Sequence, residues 1–125
     1  MKNISFIFKL SCITLLTQNL FFGALVFSKN STEEGKTLFN TKCIACHTIG
    51  QGKRLGPDLK GVTQRRKKAW LKKMIQTPDK MVKTDADAKK LLKEYNNLPM
   101  TNFGLKDKEV NALIDYLQHE DQVKK

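Results

Sequence analysis

The stretch Cys43-Ile44-Ala45-Cys46-His47 sets two thiols three residues apart, with a histidine directly after them. This is the attachment pattern of a c-type haem. Each thiol adds across one vinyl group of the porphyrin, and the two-residue gap lets a single helical turn reach both. His47 then stands where its imidazole meets the iron from the proximal side. Two other readings fit the pair less well. Zinc wants four ligands, but the chain has only three cysteines (Cys12, Cys43, Cys46), and its one other histidine is His119. A thioredoxin-like redox pair wants a βαβ setting, and no strand-rich pattern surrounds these residues.

The N-terminus reads as an export signal. Met1-Lys2-Asn3 gives a positive start, and an apolar region runs from Ile4 to Phe27, interrupted by Lys9 and Gln18-Asn19. Val26-Phe27-Ser28 offers a cleavage site. The alternative is an uncleaved helix that anchors the domain, since at ~1.5 Å per residue the segment is long enough to span a bilayer. Cys12 reads as an ordinary signal residue, because Lys9 sits where a lipidation signal wants an aliphatic one. Two regions are therefore expected: residues 1–28 as signal peptide or retained anchor, and residues 29–125 as one monohaem domain, exported or periplasmic. A domain of 97 residues has a marginal core of its own. A covalent haem adds a large flat apolar body to it.

After residue 28 the chain holds 21 Lys and Arg against 12 Asp and Glu, a formal charge of +9. Nucleic acid is the usual partner of so basic a chain, but an exported haem protein does not meet DNA. An electrostatic docking face for an acidic partner fits better, with the rest of the charge as solvated helix surface.

The apolar periodicity predicts four helices and almost no strand. The first begins at Ser31, where Ser31-Thr32-Glu33-Glu34 reads as a capping box, and it leads into Cys43. The second is expected from Thr63 to Gln76, with Trp70, Leu71, Met74 and Ile75 on one face and Thr77-Pro78 as its stop. The third covers Asp85 to Tyr95. The last runs from Asp107 to His119, with Val110, Leu113, Ile114 and Leu117 in register. Lys106 stands where a Ser or Thr cap would serve best, and Asp121 to Lys125 reads as a polar tail.

A six-coordinate iron needs a second ligand. His119 sits in a last helical turn, where histidine more often meets free carbonyls. Met74 lies on an apolar helix face and reads as core filler. Met81 follows the Pro78 break and is held as the reserve. Met100 follows Pro99 in a loop between two helices, where ligands tend to sit, and is the leading candidate. A His47/Met100 pair raises the reduction potential and leaves no open position for oxygen or peroxide.

Gly35, Phe39, the Cys43–His47 motif, Gly56-Pro57-Asp58-Leu59, Met100 and Ala112-Leu113-Ile114-Asp115-Tyr116-Leu117 follow one another in an order that resembles the small class I cytochromes c. The resemblance covers nearly all of residues 31–120. It implies an all-α cytochrome c fold, about four helices wrapped around one covalent haem, with the first and last helices crossed at Gly35, Phe39 and Tyr116. It also implies that the Pro57 carbonyl accepts a hydrogen bond from His47 and that Trp70 lies near a haem propionate. One departure is Pro99-Met100-Thr101, where many members read Met-Pro. Trp70 to Gly104 is also similar to small cytochromes encoded beside nitrous oxide reductase.

These readings lead to a monomeric electron carrier rather than an enzyme. The expected cofactor is one haem c, bound through Cys43 and Cys46. The expected donor is a quinol-oxidising complex, and the expected acceptor a terminal oxidase or a nitrous oxide-type reductase. No nucleic acid is expected, and the membrane only as a tether through residues 1–28. Two alternatives remain: an open-site haem protein that senses or turns over a gas or peroxide, and a haem subunit fixed to a larger reductase.

Overall fold

The structure, a computed structural model, describes residues 31–123, and every regular element among them is helical. The expected signal segment 1–28, with Cys12, lies outside the described residues. Helix α1 covers residues 31–38 and widens into a π-helical turn at Phe39–Cys43. Ser31 is already helical, so a cap would fall ahead of it, outside the described residues. The other helices are α2 (Val62–Arg65), α3 (Lys68–Gln76), α4 (Pro78–Thr84), α5 (Ala86–Glu94) and α6 (Asp107–Val123).

Helix α6 is the spine. Its buried residues Val110, Leu113, Ile114 and Leu117 recur at the spacing that puts them on one stripe. They join Phe39, Val62, Leu71, Ile75 and Leu105 in a single core cluster. Helices α2 and α3 pack on α6, and α4 packs on α3 and α5. Helix α1 crosses α6 at Gly35. A Cβ there would overlap the Ala112 carbonyl group and lie 2.8 Å from Tyr116 Cβ, so only glycine lets the backbones come this close. Phe39 and Tyr116 meet one turn further on, with ring centroids 5.8 Å apart and planes tilted by 52°.

Three expectations are corrected. The second helix is broken at Arg66 and Lys67, whose backbones are extended. Arg66 thereby stacks its guanidinium 4.8 Å from the Trp70 ring centroid and pairs with Asp87. Pro78 does end α3, but it also opens α4 from its first position, where its missing N–H is not needed. The supposed tail continues α6 to Val123, and Asp121 is buried. Its carboxylate accepts from the Gly61 and Thr63 amides and from the Thr63 hydroxyl. Asp121 thus caps α2 from the far end of α6, supplying the acceptor that Gly61 lacks.

The start of α6 solves the missing cap by half a capping box. Glu109 reaches back to the Lys106 amide at 2.8 Å.

Candidate functional site

The attachment cysteines sit where α1 ends. The amides of Cys46 and His47 both donate to the Cys43 carbonyl, at 3.0 and 2.9 Å, so the chain makes one tight turn between the thiols. Both thiols are free and half-buried. Burial pushes the Cys43 thiol up to about 11, against the pull of Lys42 and with a further push from Cys46. At neutral pH Cys43 is therefore a thiol, which resists oxidation better than a thiolate.

His47 is fixed from two sides. Its Nδ1 donates to the Pro57 carbonyl at 2.9 Å, which leaves Nε2 as the nitrogen free to bind a metal. Gly56 lies against the ring, and a Cβ there would come 2.6 Å from His47 Cε1. Burial lowers the His47 pKa, partly opposed by the Pro57 bond. The imidazole is therefore neutral at physiological pH, the form that ligates iron.

The loop that presents Pro57 is tied down by Asp58, a residue whose task the sequence did not reveal. Its carboxylate accepts from the amides of Gly50 (2.8 Å), Gly52 (2.6 Å) and Lys60 (2.8 Å). Gly50 and Gly52 have φ of +80° and +83°, which their lack of a Cβ permits. Desolvation pushes the Asp58 pKa up, but these donors and the Thr48 hydroxyl outweigh it and hold it below the usual carboxylate value. The Gly56 amide closes the loop on the Cys46 carbonyl at 2.8 Å.

Met100 is in the loop between α5 and α6, half-buried against the core cluster. Cys43, Leu38, Leu59 and Trp70 are likewise partly buried against the core cluster. The Trp70 indole N–H donates to the Asp85 carboxylate at 3.1 Å. That carboxylate also caps α5 through the Ala88 amide. Trp70 thus ties α3 to α5, and its N–H already has a partner in the protein. Met74 is only half-buried and stands outside the core cluster, unlike its neighbours Leu71 and Ile75. Met81, the reserve, is buried on α4. His119 is exposed, 3.9 Å from Glu120.

The described residues fit a haem. They combine two thiols on one turn, a neutral imidazole with its metal-binding nitrogen free, and a glycine where any side chain would displace that imidazole. Cys43 itself packs, partly buried, against the apolar core. Among the described residues, no three His, Cys, Asp or Glu side chains converge as a metal site of their own.

The sequence pattern of the cytochrome c family matches residues 32–121. Cytochrome c of Stellaria longipes is 33% identical over 103 residues, which cover 74% of this chain and 94% of that one. A shorter match, 45% identical over 38 residues, covers 29% of this chain and only 34% of cytochrome c from Kluyveromyces lactis. Among solved structures, cytochrome c from Rhodothermus marinus superposes with a TM-score of 0.71 at 30% identity, over 74% of this chain and 78% of that one. Sequence, fold and attachment turn agree: this chain is a c-type cytochrome of the cytochrome c family, a carrier of electrons with one haem c bound through Cys43 and Cys46.

Proposed function

We propose that the chain is an exported carrier whose iron is held by His47 and Met100, passing single electrons from a quinol-oxidising complex to a terminal reductase or oxidase. When bound, the haem supplies a one-electron iron couple, and a thioether ligand raises its potential. The observation that carries the reading is the geometry of His47: oriented by its Nδ1–H bond to Pro57, with Nε2 left for a metal. Met100 is favoured for the other side because, among the described methionines, it is the one in a loop, whereas Met81 is buried in a helix. Met100 and Cys43 both pack partly buried against the apolar core, a dry setting that suits electron transfer without bond chemistry.

Docking rests on charge. Arg54 donates to the carbonyl of Ile44, inside the attachment motif, at 2.7 Å. That places a cation beside an exposed apolar residue, Ile44. Lys53 and Lys73 make no ion pair among the described residues, whereas Lys72 is 3.5 Å from Asp107 and contributes less. Such a face orients an acidic partner and speeds encounter, through the small interface usual for redox pairs. Export is supported by the apolar stretch before residue 28 and by the chemistry of haem attachment. Among the described residues no helix is long and apolar enough to cross a membrane.

The test is the absorption spectrum of the oxidised protein with Met100, Met81 or Met74 replaced by alanine. The band that marks methionine on ferric iron is expected to vanish only in Met100→Ala; its persistence there would move the ligand elsewhere.

A further inference from the structure

The segment that carries Met100 is short of backbone support. It leaves α5 through Asn96 and Asn97, at φ of +58° and +56°, and rejoins helix at Asp107. Among the described residues, no backbone-to-backbone hydrogen bond involves residues 99–105. Side chains do the holding instead. The Asn102 side-chain oxygen Oδ1 accepts from the Gly104 amide at 2.9 Å, which closes the turn just after Met100. The Asn102 amide group donates to the Asp79 carboxylate, in the first turn of α4, at 3.1 Å. These two bonds fix the orientation of the Asn102 amide, since a flip would set its oxygen against the Asp79 carboxylate. On the other side, the Lys42 ammonium lies 5.2 Å from the Phe103 ring centroid. Lys42 directly precedes Cys43, so this second contact joins the same segment to the attachment turn.

We propose that Asn102 and Asp79 are a positioning pair for Met100. Together they clasp the loop onto α4, keep the methionine seated and slow its release from the iron. The inference rests on the Met100 reading above and adds what holds that ligand in place. Both partners are exposed, so the clasp is a modest bias on a local opening and not a lock.

A charge swap tests it. In Asn102→Asp the turn to Gly104 survives, but a carboxylate now faces Asp79. The double variant Asp79→Asn with Asn102→Asp exchanges donor and acceptor and restores the pair. The haem-loaded full chain is examined for the ferric methionine band and for carbon monoxide binding to the ferrous form, which requires the methionine to leave. We expect Asn102→Asp to weaken the band and to speed carbon monoxide binding about tenfold. The double variant should return both to within about twofold of the parent. If Asn102→Asp does not fold, Asn102→Ala replaces it, with about a threefold effect expected.

Met100→Ala separates the two ideas. If it keeps the methionine band, the ligand reading fails and the clasp with it. If Met100→Ala loses the band while Asn102→Asp behaves as the parent, the clasp alone is overturned. Failure of the double variant to rescue also overturns it, because the effect would then not belong to the pair.

Discussion

Gly35 packs so tightly on Ala112 that a single methyl group at position 35 would run into the Ala112 carbonyl. The obstacle is backbone and cannot swing aside. Gly35→Ala should therefore cost at least about 3 kcal/mol, the upper end of what overpacking costs in a well-packed core. A denaturant titration checks this. An unchanged midpoint would mean that α1 and α6 do not cross at this residue.

Gly56 plays the same part toward the ligand. A Cβ there would press on His47 Cε1 from 2.6 Å, and the imidazole would have to move off the Pro57 carbonyl. Gly56→Ala should shift the reduction potential and lower the folding midpoint, by about 1–3 kcal/mol in stability. A redox titration that matches the parent would show that the ring does not need this contact.

Asp121 should matter far more than its place near the C-terminus suggests. Asp121→Ala leaves the Gly61 and Thr63 donors without their acceptor at a half-buried helix start. A loss of about 3 kcal/mol is expected, while Asp121→Asn, which keeps one acceptor, should lose less. Urea unfolding of the two variants decides this.

The hydrogen bonds to Asp58 give stability an acid limb. The folded-state pKa is lowered, so the stabilisation is complete above the unfolded carboxylate value of about 3.9. It is lost as pH falls through the lower folded value. The difference in melting temperature between the parent and Asp58→Asn should be widest near neutral pH and shrink in acid. A difference that stays constant would remove Asp58 from this role. Asp85 has a lowered pKa of the same sign, from the Ala88 amide first and the Trp70 N–H second, and should steepen the same limb.

Electron transfer to an acidic partner should slow as salt rises, and Lys53→Glu should slow it at low salt with less effect at high salt. Rates indifferent to ionic strength would detach the basic surface from docking.

The attachment turn, the crossing at Gly35 and the α5 and α6 helices could be read from residue order, because spacing and helical period are local properties. The break at Arg66-Lys67 could not. Arg65 to Lys68 are all good helix formers, and what opens the chain there is accompanied by tertiary contacts to Trp70 and Asp87. Pro78 was legible as a stop and equally as a start, and only packing on α3 and α5 chooses the start. The tasks of Asp58 and Asp121 were hidden for a related reason. Asp121 works across about sixty residues of chain, and a carboxylate's backbone partners leave no periodic mark. The Trp70 N–H bond to Asp85 was hidden as well, because only the fold brings the capping carboxylate of α5 within reach of α3.

The most direct test is the intact mass of the protein, denatured, after expression in a host that matures c-type cytochromes. The account predicts the polypeptide plus one haem, reduced to the bare polypeptide when Cys43 and Cys46 are both replaced. A parent protein with the mass of the polypeptide alone would contradict it.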